Sequence, residues 1–363
     1  MTSLRTSDAF LALVRLGVGH TSYVPPYSVD WTAIKALADK HGLSGIVLDG
    51  IDKLPEDVRP PKEELLQWIG ETLQEYEHRY EMYRKAISEM ARWHNANGFK
   101  MMVLKGYACA INWSKPEHRP CGDIDIWEFG KQKEADEALR ACFKEQGLRF
   151  KIDESHHHHT VYYWGDFMVE NHYDFLNVHH HKSNVSLEAI LKDLGQDDSH
   201  FVNVLGEKVY LPSPNLHALF LLRHAMSNFA STRVTLRQLM DWAFFVKANT
   251  NEIDWDWLES TLEKYGMKRL YDVFNAICVG DLGFDVKIFP KVQFDPSLKD
   301  KVLKEIIAPA NYKKTPTNIL LRIPFKYKRW RANEWKHRLC FKESMWSAFW
   351  SGVWNHLMKP ASI

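Results

Sequence analysis

Residues 122–126 constrain the fold of this chain more than any other segment, because two carboxylates alternate there with two β-branched residues. Side chains two positions apart on a strand share a face, so the pattern predicts that Asp123 and Asp125 point one way while Ile124 and Ile126 enter a core. Carboxylates this close repel each other unless a cation lies between them. Oxygen ligands favour a hard cation such as Mg²⁺ or Mn²⁺. The alternative is a solvated Asp-x-Asp pair on an exposed strand or loop.

The neighbouring segments suit a site for phosphate and metal. Residues 99–104 form an apolar run of strand length. Lys105 and Gly106 follow, and a glycine turn at a strand end lets backbone amides approach a phosphate. A third carboxylate, Glu170, lies on the second strand of a hairpin predicted over 159–175. Adjacent strands would then bring this carboxylate beside the aspartate pair.

The order of elements predicts an α+β fold. Residues 98–182 give the order strand, turn, strand, helix, strand, strand, which suits a mixed sheet with helices on one face. A second hairpin is predicted over 202–211, with its turn at Gly206 and Glu207. Four parts are expected along the chain: a helical region over 1–97, a sheet core over 98–211, a second helical region over 212–300, and a basic, Trp-rich tail over 301–363.

Apolar spacing and capping residues predict the main helices. They are expected over 31–41, 62–95, 131–146, from Pro214 onward, and over 236–247. The long helix over 62–95 carries apolar residues at steps of three and four, which predicts one continuous core-facing side. The residues of this stripe are Leu65, Trp68, Ile69, Leu73, Tyr76, Tyr80, Tyr83, Ile87 and Met90.

Bulk properties narrow the classes of function. A net charge of +1 over 363 residues creates no global field that would steer the chain to nucleic acid or membrane. The N-terminus lacks a signal-peptide pattern, and no run of about eighteen apolar residues predicts a membrane span. The five cysteines are widely spaced without a Cys-x-x-Cys pair. We therefore expect a cytoplasmic protein with reduced, structural thiols.

Three motifs together resemble the bacterial family of uncharacterised nucleotidyltransferases, within the DNA polymerase β-like nucleotidyltransferase superfamily. They are Leu-Lys-Gly at 104–106, Arg-x-x-Gly-Asp-Ile-Asp-Ile at 119–126, and Val-Glu-x-His at 169–172. A histidine run at 156–159 and a helix motif at 236–242 extend the resemblance to residues 30–250. It implies an α+β fold, with a small mixed nucleotidyltransferase (polymerase β-like) sheet core and N- and C-terminal helical extensions.

The resemblance also implies a reaction and its residues. The reaction is transfer of a nucleoside monophosphate from an NTP, with ATP favoured, to an unknown acceptor hydroxyl, with release of pyrophosphate. Asp123, Asp125 and Glu170 would hold two Mg²⁺ or Mn²⁺ ions, and Glu170 would also act as general base. The nucleotide-binding residues implied are Lys105, Gly106, Arg119, Gly122, Arg223 and Arg237.

The first turn departs from the pattern of the superfamily, which has glycine followed by glycine or serine. Here the order is Lys105, Gly106, Tyr107, and tyrosine cannot offer a serine hydroxyl to a phosphate. Lys105 would supply charge instead. This departure keeps a second function open, a catalytically degenerate nucleotide-binding or regulatory module of the same fold.

The histidine run allows several interpretations. Alternate residues of a strand point to opposite faces, so at most two of its imidazoles face the carboxylates. His156 or His158 would then bind phosphate or assist proton transfer. Alternatively they would form a transition-metal site together with His172, or remain a polar strand edge. Bound zinc or iron would favour a third function, that of a histidine-carboxylate metallohydrolase.

Several basic residues also have structural alternatives. Arg119 would be a structural or surface arginine, and Arg237 would form a salt bridge with Asp241 one helical turn away. Residues 313–342 hold ten lysines and arginines against one acid, with aromatic residues interleaved. This tail would pack on the protein, bind an anionic acceptor such as nucleic acid, or lie on an anionic membrane surface through the Trp-rich segment that follows it.

Overall fold

The computed structural model describes residues 2–20, 29–179, 181–231, 233–290, 293–309, 318–348 and 350. Within these ranges the chain is α+β, as predicted, with one six-stranded mixed sheet. The strands are β1 Met102–Val103, β2 Ile124–Trp127, β3 His159–Trp164, β4 Phe167–His172, β5 Phe201–Val204 and β6 Glu207–Tyr210. The helices are α1 Thr2–Gly17, α2 Trp31–His41, α3 Ser44–Asp52, α4 Lys62–Thr72, α5 Arg79–Ala96, α6 Tyr107–Ala110, α7 Gln132–Glu145, α8 Lys182–Leu194, α9 Pro214–Ser231, α10 Leu236–Asn249, α11 Trp255–Lys264, α12 Lys268–Gly280, α13 Pro296–Ile307, α14 Ile319–Ala332 and α15 Glu334–Cys340.

The chain forms two compact units. The helical unit comprises Met1–Thr72, Leu222–Thr250 and Trp255–Met345, and the sheet unit comprises Leu73–Leu221, Asn251–Asp254 and Trp346–Ile363. The division of the sequence into four parts stays a prediction. None of the helices in the described ranges is long and apolar enough to cross a membrane. Most of the Trp-rich segment predicted at the C-terminus lies outside those ranges.

The sheet has the strand order β3-β4-β2-β1-β6-β5. Strands β2 and β4 are parallel, as are β1 and β6, while β1–β2 and the two hairpins are antiparallel. The hairpin turn at Gly165 and Asp166 is confirmed. The turn of the second hairpin was predicted at Gly206 and Glu207, which is one residue too late. Leu205 and Gly206 form this turn, and both have positive φ. Strand β1 is also shorter than the apolar run over 99–104.

The main core of the sheet unit lies on one face of the sheet, against α5 and α7. Ile124 and Ile126 are fully buried there, which confirms the apolar face predicted for the Asp-x-Asp strand. They share the core with Tyr83 and Met90 of α5 and with Leu139 of α7. Alternation along the strand therefore directs the aspartate side chains to the opposite face.

The long helix predicted over 62–95 forms, but with a π-helical segment at Leu73–His78 between α4 and α5. A π-helical segment widens the turn and shifts the phase of every later residue. The single apolar stripe was wrong in part: Ile69, which precedes this segment, is 36% exposed, and Leu73, its first residue, is 51% exposed. Trp68 is buried in the helical unit, whereas Tyr83 is buried in the sheet unit.

The helical unit is held by close helix contacts and buried polar pairs. A Cβ atom on Gly50 of α3 would lie 2.2 Å from the Leu13 carbonyl of α1, so these helices approach at backbone distance. Helix α10 begins with a capping box between Thr235 and Gln238. Trp242 is buried and donates to Asn275 Oδ1 at 2.7 Å.

Candidate active site

Strand register brings two acids together. Strands β2 and β4 run parallel with Asp125 paired to Glu170. Register partners on neighbouring strands share a face, so both carboxylates leave the sheet on the side opposite the main core. His172 lies two residues beyond Glu170 on that same side. Its Nε2 atom is 3.2 Å from Asp125 Oδ1 and 3.6 Å from Glu170 Oε2.

Lys105 adds a second cation to this face. The Leu104 amide donates to the Asp125 carbonyl at 2.9 Å, which positions the turn beside β2. The Lys105 Nζ atom lies 2.6 Å from Asp125 Oδ1 and 5.9 Å from the centre of the Phe220 ring. Asp125, which is 1% exposed, is thus held between an ammonium and an imidazole. This front cluster consists of Lys105, Asp125, Glu170 and His172.

The charges of the front cluster stabilise one another. Burial alone would raise the pKa of Asp125, but Lys105 and His172 hold that pKa far below its ordinary range. Burial also opposes the charge on His172, yet hydrogen bonds to Asp125 and Glu170 raise its pKa to about 9. Burial opposes the charge on Glu170 too, but His172, His159 and Lys105 together keep its pKa lowered. At neutral pH, two carboxylates therefore face one ammonium and one imidazolium.

Asp123 lies just before β2 and is half-buried. Burial and the charge of Asp125 raise the pKa of Asp123. Among the residues that the structure describes, two groups of acids and imidazoles have ligand atoms within 4.8 Å of one another, and Asp123 belongs to neither. Its backbone is fixed instead, since the Tyr83 hydroxyl donates to the Asp123 carbonyl at 2.8 Å. The metal-binding role of Asp123 stays a prediction.

The two groups differ in ligand chemistry. One consists of Asp125, Glu170 and His172, and the other of His158, His159 and His172. Carboxylate oxygens fit Mg²⁺ or Mn²⁺, and the imidazole of the first group favours Mn²⁺. The second group offers only nitrogen, which transition metals prefer.

His159 takes the place beside the acids that the sequence analysis gave to His156 or His158. It pairs with His172 across the β3–β4 hairpin, and its Nδ1 atom is 3.9 Å from Glu170 Oε2. His158 is half-buried just before β3, while His156 is exposed and stacks on the ring of His159. Burial lowers the pKa of His158 to about 2 and that of His159 to about 4, so both imidazoles are neutral at pH 7.

The sequence contained the signal that identifies His159. A two-residue turn at Gly165 and Asp166 fixes the register of the hairpin, and counting outward from that turn pairs His159 with His172. Alternation along the histidine run, by contrast, assigns each residue to a face of the strand but does not identify its cross-strand partner.

The predicted nucleotide-binding residues of the sheet unit have different surroundings. Gly106 has φ of +58°, and a Cβ atom there would lie 2.1 Å from the Tyr83 hydroxyl, so only glycine fits this turn. Gly122 is exposed just before Asp123. Arg119 is 3% exposed, and its Nη1 atom donates to the Pro120 carbonyl at 3.1 Å. Nucleotide contact by these residues stays a prediction.

Arg223 and Arg237 belong to the helical unit. Arg223 is fully buried, donates to the Cys340 carbonyl at 3.0 Å, and lies 4.3 Å from the centre of the Phe341 ring. Burial lowers the pKa of Arg223 to about 10. Arg237 lies 3.9 Å from Asp241, the pair that helical spacing allowed. The nucleotide-binding roles of both arginines stay predictions.

A second buried polar cluster lies on the opposite face of the same strands. Asn171, between Glu170 and His172, donates to Glu128 at 3.2 Å and to Asp136 at 3.0 Å. Thr160 and Gln132 also donate to Asp136, and His94 Nε2 is 2.6 Å from Glu128. The sequence analysis assigned no role to these residues. The members of this back cluster are His94, Glu128, Gln132, Asp136, Thr160 and Asn171.

The chain was compared with families, curated proteins and solved structures. An antigenic nucleotidyltransferase-like protein from Paracoccidioides brasiliensis is similar over 46% of this chain and 75% of its own, with 16% sequence identity and a TM-score of 0.32. No curated protein matches the chain. Residues 27–279 match the family described as uncharacterised nucleotidyltransferase, and this match covers more than half of the chain. The chain therefore belongs to the family of uncharacterised nucleotidyltransferases.

Proposed function

We propose that this protein transfers a nucleoside monophosphate from an NTP to an acceptor hydroxyl, with Mg²⁺ or Mn²⁺ held by Asp125 and Glu170. The observation that carries the proposal is the register pair of these two acids on parallel strands, with Lys105 and His172 beside them. Family membership supports the reaction class. Asp123, at the start of the same strand, is proposed as a third ligand. A bound divalent ion would supply charge neutralisation for the triphosphate and would activate the acceptor hydroxyl.

Lys105 has two roles in this proposal. Without a metal, its ammonium balances Asp125 at 2.6 Å. A divalent cation at the acids would compete with that ammonium, since both seek the same carboxylate oxygen. Lys105, once released, would lie at the glycine turn and could bind a phosphate oxygen of the NTP. Burial opposes its charge, but Asp125 keeps the pKa of Lys105 raised, so the residue is a cation while it is paired with Asp125.

Glu170 is the proposed general base. It is half-buried and more exposed than Asp125, and the neighbouring His172 keeps its pKa lowered. It is therefore ionised at neutral pH and able to accept the proton of an acceptor hydroxyl. Positioning and charge neutralisation supply most of the catalysis in transfers of this class, so no covalent enzyme intermediate is needed.

The test is a thermal-shift panel with ATP, CTP, GTP and UTP, each with and without Mg²⁺ or Mn²⁺, followed by an assay of pyrophosphate release. Wild type is compared with Asp125→Asn and with the control Asp166→Asn, an exposed acid in the hairpin turn. We expect metal-dependent stabilisation by at least one NTP, which persists in Asp166→Asn and disappears in Asp125→Asn. A ligand at a hundred times its Kd stabilises by about 2.7 kcal/mol, which is readily measured. Equal nucleotide binding by all three proteins would contradict the proposed site.

The second candidate is a nucleotide-binding or regulatory module without turnover. It is favoured by the position of the Lys105 ammonium, which fills part of the space where a cation would neutralise Asp125. Under this proposal the front cluster is a permanent ion pair. Nucleotides would then stabilise the protein without metal, and pyrophosphate would not be released with any of the four NTPs.

A further inference from the structure

Three imidazoles converge beside the front cluster. His159 and His172 face each other across the β3–β4 hairpin, with ring centres 5.2 Å apart. The ring of His158 lies 4.3 Å from that of His159 and 5.5 Å from that of His172. One nitrogen from each ring lies within 4.8 Å of the others. Hairpin register, rather than a flexible loop, therefore fixes two of the three imidazoles.

Two of these imidazoles carry buried nitrogens without a hydrogen bond. The Nδ1 atoms of His158 and His159 are both inaccessible to solvent and have no hydrogen-bond partner in the described part of the chain. His159 is 6% exposed. Buried polar atoms in folded proteins are normally hydrogen-bonded, so two such nitrogens within one small group call for a ligand. A metal ion would be such a ligand.

A backbone carbonyl orients the third imidazole, that of His172. His172 Nδ1 lies 3.1 Å from the Asp174 carbonyl, so the proton on Nδ1 can be donated to that oxygen. Its Nε2 atom faces the acids. Metal-binding histidines commonly have this arrangement, with one ring nitrogen hydrogen-bonded to a carbonyl and the other left for the ion.

We propose that His158, His159 and His172 form a binding site for a transition-metal ion such as Zn²⁺. Three nitrogen ligands discriminate against Mg²⁺ and favour Zn²⁺, Co²⁺ or Ni²⁺. Glu170, with Oε2 at 3.9 Å from His159 Nδ1, is positioned as a fourth ligand. The site differs in ligand chemistry from the carboxylate pair that the proposed function uses, although the two share His172 and Glu170. An ion bound at the imidazoles would withdraw His172 from Asp125 and would therefore compete with Mg²⁺-dependent activity.

The test uses Co²⁺ as a visible probe of the full chain, after removal of metals with a chelator. A d–d absorption band with one equivalent of Co²⁺ is expected for wild type, and Zn²⁺ should displace it while excess Mg²⁺ should not. His158→Gln is the first variant, since His158 is half-buried and lies outside the strand. His159→Gln is the second, and His78→Gln, at an exposed histidine of the same unit, is the control.

We expect Co²⁺ to bind at least about tenfold more weakly to the His158 and His159 variants, the smallest loss typical of damage to a metal site. The control should retain the affinity of wild type, and Asp125→Asn should bind Co²⁺ at least as tightly as wild type, because the carboxylate that holds His172 has lost its charge. The opposite result, loss in Asp125→Asn with normal binding by His158→Gln, would assign the ion to the carboxylates and overturn the proposal. Because nucleotide binding is measured separately, failure here would leave the proposed transferase function untouched. Thermal unfolding of each variant checks that the fold is retained.

Discussion

The two faces of strand β4 carry clusters of similar composition in opposite electrostatic states. The front cluster and the back cluster each contain two carboxyl groups and a histidine. In the front cluster, Lys105 and His172 neutralise the acids with full charges, so that the pKa of Asp125 is lowered. In the back cluster, mostly neutral donors surround the acids, and burial raises the pKa values of Glu128 and Asp136.

Under the proposed function, this difference separates a reactive site from a structural one. An acid that is balanced by a lysine ammonium can exchange that cation for a metal ion. An acid that receives hydrogen bonds from threonine, glutamine and asparagine has its lone pairs filled by groups that cannot be released without opening the core. One strand supports both, because Glu170 and His172 face one side while Asn171 faces the other. Burial of an acid is therefore a weak guide to function until its partners are known.

The largest expected difference between the two clusters is the effect of a substitution on activity. Asp125→Asn removes the charge that the metal requires, and we expect pyrophosphate release to fall about 10³-fold or more, the scale for loss of one electrostatic stabiliser. Asp136→Asn, an equally small change in the back cluster, should leave the rate within about threefold of wild type at a temperature where the variant is folded. Steady-state assays with saturating NTP and Mn²⁺ would decide the matter. Similar losses in both variants would show that the comparison between the clusters is wrong.

Substitution in the back cluster should lower the free energy of unfolding rather than the activity. Asn171→Leu removes the donor that bridges Glu128 and Asp136 and leaves two buried acceptors short of a hydrogen bond. We expect the free energy of unfolding to fall by about 3 kcal/mol, since each unsatisfied buried group costs about 1–3 kcal/mol. Urea denaturation measures this loss, with Gln146→Leu, an exposed amide of the same unit, as control. A loss below about 1 kcal/mol would mean that the back cluster contributes little to stability.

The exchangeable cation of the front cluster can be tested alone. Lys105→Met removes the ammonium that lies 2.6 Å from Asp125 and keeps much of the side-chain volume. Without that competitor, Mn²⁺ should bind about tenfold more tightly in the absence of nucleotide, and NTP should bind more weakly in its presence. Isothermal titration calorimetry distinguishes the two changes. If metal affinity falls as well, Lys105 organises the acids rather than competing for them.

The smallest effect concerns pH, where the two clusters should act with opposite sign. The pKa of Asp136 lies above the ordinary value of 3.8, so its contribution to stability is complete below that value and is lost as pH rises through the raised pKa. The pKa of Asp125 lies below 3.8, so its contribution is present above that value and is lost as pH falls.

Each of these two carboxyl groups contributes about 1.4 kcal/mol to the free energy of unfolding for every tenfold difference in its acid dissociation constant between the folded and unfolded states. Asp136→Asn should therefore reduce the loss of stability with rising pH, and Asp125→Asn should reduce the loss with falling pH. Urea denaturation of metal-free protein across the acidic to neutral range measures both slopes. If both variants changed the pH dependence of the free energy of unfolding in the same direction relative to wild type, the electrostatic distinction between the clusters would be wrong.

Local patterns predicted much of this arrangement. Alternation in residues 122–126 predicted the buried isoleucines, and the glycine turn at 165 predicted the hairpin that carries Glu170. The α+β class followed from the order of strands and helices. These features depend on neighbours in the sequence, for which strand periodicity and turn chemistry are sufficient guides.

The rest depended on partners distant in the sequence. The contact between Lys105 and Asp125 joins a turn to a strand across twenty residues, and Asn171 meets Asp136 from another element entirely. The π-helical segment at Leu73–His78 changed the phase of a helix whose apolar spacing gave no warning of it. Alternation assigns a residue to a face of the sheet but does not identify the charged residues that contact it there. Asp123 illustrates this limit, since it precedes β2 and lies outside the close group of ligand atoms.

The ion pair between Lys105 and Asp125 has a consequence for the biogenesis of the protein. A bare pair of buried acids would resist folding until an ion arrived, and the newly made chain would depend on metal supply. Here the chain carries its own neutralising cation, 2.6 Å from the buried carboxylate. The sheet can therefore close around Asp125 during synthesis without an ion. Under the proposed function, metal binding would then follow folding, and a shortage of metal would leave folded, inactive protein rather than aggregates.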